Sequence, residues 1–127
     1  MRKVALVRNG HTSIKRIIIS QQHDGVYLFP CGTLEDGSSI GDEWYESVAA
    51  AQEACSRSYG IQAADWREIA DPLEGCQHDW IAPVRIKGRA EGKPLWGQLE
   101  RLENGNWVDI PKVPLGQSES DDTQPPT

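Results

Sequence analysis

The chain has 127 residues, a formal net charge of -6 and a hydrophobic fraction of 38%. A chain of this length usually forms one domain, and the composition excludes a wholly disordered protein. No apolar stretch approaches the roughly 20 residues of a membrane span, so we expect no membrane partner. Because general nucleic-acid binding needs a basic surface, the acidic balance argues against a nucleic-acid partner.

The cysteines indicate a reducing compartment. Cys31, Cys55 and Cys76 are odd in number, and the apolar run at residues 4–7 ends at Arg8, too early for a signal peptide. We therefore expect a cytoplasmic protein with small buried thiols and without a disulfide framework.

The N-terminal part of the chain predicts three strands followed by a loop. Residues 2–8 and the β-branched run within residues 15–20 favour strands. Residues 26–29 form a third apolar run, which stops at Pro30. Residues 32–41 are rich in Gly, Ser and acidic side chains, which is typical of a loop.

A helix is predicted over residues 42–59, where the hydrophobic period changes. Its apolar stripe consists of side chains spaced by four, three and four residues, namely Trp44, Val48, Ala51 and Cys55. Asp42 is the predicted N-cap, and Gly60 is the predicted residue that ends the helix.

Further strands are predicted over residues 65–69, 78–89, 96–103 and 107–110. The last two form a hairpin around Asn104-Gly105, a strong hairpin signal. Together the elements predict a single α+β domain over residues 1–113 with a mixed sheet. Residues 114–127 are polar and acidic, and we expect them to form a disordered tail.

The loop and the end of the helix carry a motif that resembles the box of the Nudix hydrolases. The matching positions are, in chain order, Pro30, Gly32, Glu35, Gly37, Gly60 and Ile61. The resemblance implies a Nudix-like mixed β-sheet with one long helix after the Gly-rich loop, here without the family's usual C-terminal helix. It also implies that a complete box would hold magnesium-like ions and hydrolyse a pyrophosphate.

The box is degenerate where the metal would bind. Aligned on Gly60, the family's adjacent metal-binding glutamates become Arg57 and Ser58. A guanidinium repels a cation, whereas it can pair with Glu53 one helical turn earlier. We therefore predict that the family's metal chemistry is lost, and we assign no catalytic residue. An insertion between Ser38 and Glu53 is expected to add about two turns to the start of the helix.

A rebuilt metal site is the alternative interpretation. Glu46 and Glu53 lie on one face of the predicted helix, and Glu35 lies in the loop. Carboxylate oxygens are ligands of Mg²⁺ and Mn²⁺, so these three acids are candidate metal ligands. The same acids also fit a solvated helix face and an acidic turn, in which case no metal cofactor is bound.

A basic strand supplies the candidate ligand-binding residues. Arg85, Lys87 and Arg89 alternate within the predicted strand 78–89 and so share one face. That face fits an anion cradle for a small phosphate-bearing molecule, with Trp44 as a further candidate contact. It also fits the charged face of an exposed or edge strand.

Three functions remain open. The first is a catalytically silent Nudix-like protein that binds a small molecule or a protein and self-associates as a homodimer. The second is a divergent metal-dependent pyrophosphohydrolase of nucleoside diphosphate compounds, with Glu35, Glu46 and Glu53 as ligands of Mg²⁺ or Mn²⁺. The third is a small α+β scaffold of unrelated function.

Overall fold

The computed structural model describes residues 1–8, 10 and 12–111. These residues divide into two compact units, one of Met1–Leu73 with His78–Ile81, and one of Glu74–Gln77 with the described residues from Ala82 onward. The predicted α+β class is confirmed, and the single domain over residues 1–113 stays a prediction. The predicted tail over residues 114–127 lies outside the described residues.

The first unit is built on an antiparallel sheet. Within the described residues its elements are β1 (Arg2–Leu6), β2 (Arg16–Gln22), β3 (Gly25–Cys31), β4 (Glu43–Tyr45), helix α1 (Val48–Tyr59) and β5 (Arg67–Ile69). The five strands lie in the order β4-β3-β2-β1-β5, and every neighbouring pair is antiparallel. The prediction of a mixed sheet is therefore wrong. A tight turn joins β2 to β3, and such turns connect antiparallel strands only.

One face of this sheet forms the hydrophobic core with α1. Ile17 and Ile19 of β2 point to this face, and both are 0% exposed. They pack in one cluster with Leu28 of β3 and with Ala51 and Cys55 of α1. The predicted burial of Ala51 and Cys55 on one helical stripe is confirmed, as is the expectation of small buried thiols for all three cysteines.

Helix α1 is shorter at its start than the sequence predicted. It begins at Val48, and Ser47 is its N-cap, accepting a hydrogen bond at its side chain from the amide of Ala50 at 3.0 Å. The expected N-terminal extension and the Asp42 cap are wrong, because Glu43–Tyr45 pairs with β3 as an edge strand. The predicted end is confirmed, since Gly60 has a φ of 70°, which glycine adopts without strain.

The other face of the sheet buries polar side chains. Arg2 of β1 and Arg16 of β2 are 2% and 1% exposed. The Arg2 guanidinium donates hydrogen bonds to main-chain carbonyl oxygens of Ala70 and of the segment His78–Ile81. Because a buried charge needs hydrogen-bond partners, these carbonyls fix the segment against the sheet.

The second unit is a small antiparallel sheet. Within the described residues its strands are β6 (Val84–Ile86), β7 (Leu99–Glu103) and β8 (Asn106–Asp109), in that order across the sheet. The predicted hairpin is confirmed, and Asn104 and Gly105 have φ values of 51° and 82°, as a tight hairpin turn requires. β8 is the last element described, so the expectation that no helix closes the domain falls on residues 112–127, outside this range.

The strand predicted over residues 78–89 is wrong at both ends. Residues His78–Ile81 belong to the first unit, and Arg89 begins a short 3-10 turn, Arg89–Glu91. Pro83 has no amide hydrogen to donate, which explains why β6 starts only at Val84. In the described part of the chain, no helix is long and apolar enough to cross a bilayer.

Replacing Arg2 with Met should destabilise the protein strongly. The variant keeps the apolar stem but leaves buried carbonyl oxygens without a donor, so we expect a loss of about 3 kcal/mol in the free energy of unfolding. Urea titration followed by fluorescence measures this loss. Lys3→Met is the matched control on the same strand, with an expected change under about 0.5 kcal/mol. Equal losses in the two variants would contradict the proposed role of Arg2.

Candidate functional site

The Gly-rich loop of residues 32–41 lies over the buried side chain of Arg16. Arg16 Nη2 donates to the carbonyl oxygens of Glu35 at 3.1 Å and of Gly37 at 3.4 Å. Its Nε donates to the carbonyl oxygen of Thr33 at 3.5 Å. The loop oxygens nearest the sheet are therefore directed at a guanidinium.

The guanidinium of Arg16 is only partly satisfied. Its Nη1 is buried and has no hydrogen-bond partner in the described part of the chain. The nearest opposite charge is Oδ1 of Asp36, 3.9 Å from Nη1. The underside of the loop thus keeps a cationic character that one carboxylate offsets.

The loop is tied to the segment His78–Ile81 by side-chain hydrogen bonds. The amide and the hydroxyl of Ser39 donate to Asp79 Oδ2 at 2.8 and 3.1 Å. The Trp80 indole donates to Ser38 Oγ at 3.0 Å, and the Ile81 amide donates to Asp36 Oδ1 at 2.8 Å. The loop also accepts hydrogen bonds from the buried Arg16, and the segment accepts them from the buried Arg2. Together these contacts hold the loop in one conformation.

The three candidate metal ligands lie apart. Glu35 is exposed in the loop, and Glu46 precedes the N-cap of α1, so the prediction that Glu46 and Glu53 share a helical face is wrong. The predicted pair of Glu53 and Arg57 is confirmed at 3.3 Å. Among the described residues, no three side chains of His, Cys, Asp or Glu form a group that could hold a metal ion.

The basic residues of the second unit are largely engaged. Arg85 Nε donates to Glu100 Oε2 at 2.5 Å, and its guanidinium lies 3.8 Å from the ring centre of Trp107. Lys87 Nζ donates to Asp109 Oδ2 at 2.7 Å, and this hydrogen bond raises the pKa of Lys87. Arg89 lies beyond the strand, so the structure does not align it with the other two.

Trp44 belongs to the first unit and not to the helix. It sits on edge strand β4, where its side chain is 54% exposed and its indole donates to the carbonyl oxygen of Asp24 at 3.1 Å. Gly25 is the reason that the indole fits, since a Cβ there would lie 2.1 Å from Trp44 Nε1. The structure therefore separates Trp44 from the apolar stripe on which the sequence placed it.

Cys31 lies at the end of β3 and is 1% exposed. Burial raises the pKa of its thiol, against the lowering effect of nearby Arg16. A raised pKa disfavours the thiolate, which is the nucleophilic form of a cysteine.

The sequence also concealed a polar network under the segment His78–Ile81. Ser20 Oγ lies 3.0 Å from His78 Nδ1, and Gln22 Nε2 lies 3.2 Å from the same nitrogen. With Gln22 Nε2 as the donor, Nδ1 accepts, and the neutral imidazole then carries its proton on Nε2. The signal that could have found this network is the alternation of β2, which puts Arg16 and Ser20 on the face opposite Ile17 and Ile19.

Stability should fall in mild acid because of His78. Burial and the neighbouring Arg2 lower the pKa of His78 below its ordinary value of 6.5, against the raising effects of Asp71 and Asp79. The unfolded chain therefore takes up this proton first, so the stability is complete above about pH 6.5 and is lost as the pH falls through the folded pKa.

Urea midpoints at about pH 7.5 and about pH 5.5 test this effect. We expect the midpoint to drop in acid for the native chain and to drop less for His78→Asn, whose side chain does not titrate. The exposed His23 gives the control His23→Asn, which should behave as the native chain does. An unchanged drop in His78→Asn would contradict the prediction.

No protein-family model, curated protein or solved structure matches the chain.

Proposed function

We propose that this protein is a catalytically silent Nudix-like module that binds a small phosphate-bearing molecule without a metal ion. The observation that carries the proposal is the buried Arg16 guanidinium, which donates hydrogen bonds to the carbonyl oxygens of Thr33, Glu35 and Gly37. In this proposal the Arg16 guanidinium, and not a bound metal ion, organises the Gly-rich loop of the degenerate Nudix box.

Electrostatics supports this proposal. A divalent cation roughly 5 Å from a guanidinium is repelled by about 7 kcal/mol at an effective dielectric constant of roughly 20. Arg16 is 1% exposed, so solvent screens its charge weakly. The carboxylate of Asp36, which lies 3.9 Å from Nη1, reduces this repulsion without supplying a set of metal ligands.

The helix supports the same conclusion. Arg57 stands where the resemblance places a metal-binding glutamate, and it pairs with Glu53. Both side chains are exposed, so the pair itself adds little stability. A guanidinium at this position cannot ligate a cation, which is consistent with the proposed loss of metal chemistry.

We further propose that the protein forms a homodimer in the cytoplasm. Large apolar side chains are exposed in both units, with Leu34 at 61%, Ile40 at 65% and Trp96 at 72%. Exposed apolar surface is commonly covered by association, and a second copy of the same chain is the simplest partner. The free, buried thiols fit a reducing compartment.

Enzyme assays test the loss of metal chemistry. With a panel of nucleoside diphosphate compounds and either Mg²⁺ or Mn²⁺, we expect no turnover that a chelator abolishes. A Mn²⁺ titration should likewise give the same weak, non-saturating signal for the native chain and for the double variant Glu46→Gln, Glu53→Gln.

Chelator-sensitive turnover would overturn the proposal. If the double variant also lost that turnover, the divergent pyrophosphohydrolase with Glu35, Glu46 and Glu53 as ligands would replace it. Absence of binding to any phosphate compound, together with absence of turnover, would favour the unrelated α+β scaffold.

Light scattering coupled to gel filtration tests the homodimer. We expect a mass twice the chain mass of 14.1 kDa at micromolar concentration. Trp96→Ser should shift the species toward the monomer, whereas Trp44→Ser serves as a comparison at another exposed indole. A monomer over the whole accessible concentration range would contradict self-association.

A further inference from the structure

A groove opens in the first unit where β5 stops covering β1. β5 pairs with β1 only over Arg2–Val4, in the register Arg2 with Ile69 and Val4 with Arg67, although β1 continues to Leu6. Before β5 the chain forms a 3-10 turn, Ala63–Asp65. In the described residues, Leu6 pairs with β2 on one side and has no strand on the side of β1 that faces β5.

Two adjoining cavities of about 310 and 330 Å³ make up this groove. Leu6, Arg8 and Asp65 line both of them. Arg67 lines the first, and Tyr59 at the end of α1 lines the second. Each volume is at the lower end of the roughly 300–1,000 Å³ that is typical of small-molecule sites.

The two arginines of the groove are unengaged. Arg8 and Arg67 are exposed, and neither forms an ion pair or a side-chain hydrogen bond with any described residue. The one acid in the lining, Asp65, accepts a hydrogen bond from the amide of Gln62 at 2.8 Å and so serves the 3-10 turn. The lining carries a net positive charge in an otherwise acidic protein.

The groove also has an apolar part. Leu6 is 42% exposed although it lies on a central strand, and Tyr59 is half-buried against the core. Burial, together with Glu43 and Cys55, raises the pKa of Tyr59, so its phenol stays neutral and can donate a hydrogen bond. A ligand seated here meets guanidinium groups and an apolar and aromatic surface at the same time.

We infer that this groove binds a small organic phosphate that carries an apolar or aromatic group. Arg8 and Arg67 bind the oxyanion through charge-assisted hydrogen bonds, and Leu6 and Tyr59 contact the apolar group. This inference rests on the proposed binding function and moves its site from Arg85, Lys87 and Arg89 to the first unit. The ion pairs of Arg85 and Lys87 favour the groove as the site, because a ligand that bound at Arg85 and Lys87 would have to break those ion pairs.

Calorimetric titration of the full chain with phenyl phosphate tests the site. We expect saturable binding that Arg8→Gln and Arg67→Gln each weaken about tenfold, since each removes one charge-assisted contact. Arg57→Gln is the matched control, because Arg57 is an exposed arginine of the first unit that lines neither cavity, and it should bind as the native chain does.

Two further arms separate the parts of the ligand. Leu6→Ala should weaken binding of phenyl phosphate and leave binding of inorganic phosphate unchanged. Benzoate, which carries a carboxylate in place of the phosphate, should bind more weakly than phenyl phosphate. Benzoate binding more tightly would overturn the assignment of a phosphate.

The outcomes distinguish the groove from the proposed function. If the double variant Arg8→Gln, Arg67→Gln still binds phenyl phosphate, the assignment of the site to the groove is wrong. A phosphate-binding function elsewhere in the protein would then remain. If the native chain does not bind phenyl phosphate, both the groove assignment and the proposed binding function are wrong. Urea midpoints of the variants within the range of the native chain exclude unfolding as the cause of a loss.

Discussion

The burial of two guanidinium groups on one face of the five-stranded sheet is the constraint on which the first unit depends. Arg2 and Arg16 are almost fully buried, and neither guanidinium depends on a closely bound carboxylate alone for its partners. Their hydrogen bonds go mostly to main-chain carbonyl oxygens of the Gly-rich loop and of the segment His78–Ile81. Since an unpaired buried charge is costly, these hydrogen bonds fix the two stretches, which lack regular secondary structure, against the sheet.

This arrangement connects the fold to the proposed function. In the proposed function, the inward oxygens of the loop accept hydrogen bonds from Arg16 and are not free to ligate a divalent ion. Two cationic groups that remain available for a ligand are Arg8 and Arg67, at the β5-facing edge of β1. The proposed loss of metal chemistry and the inferred anion site are therefore two consequences of where this chain uses its arginines.

Local patterns predicted the elements whose stability is local. The strands β1 to β3, the end of α1 at Gly60 and the hairpin at Asn104-Gly105 follow from periodicity and turn chemistry. The start of α1 was wrong because Glu43–Tyr45 is helix-compatible in sequence but gains more by pairing with β3. The predicted basic strand was too long. Alternating charges do not reveal that Pro83 and the turn at Arg89 limit β6 to Val84–Ile86.

The sequence by itself determined the α+β class, the Gly-rich loop between β3 and α1, and the pairing of Glu53 with Arg57, because each depends on residues close together in the chain. Only the tertiary structure decided which arginines are buried, paired or open. Arg2 reaches His78 and Trp80, more than seventy residues away, and no local pattern encodes that contact. The sequence shows that an arginine carries a charge. Whether that arginine packs inside the protein or binds a ligand depends on which oxygen atoms the fold brings close to it.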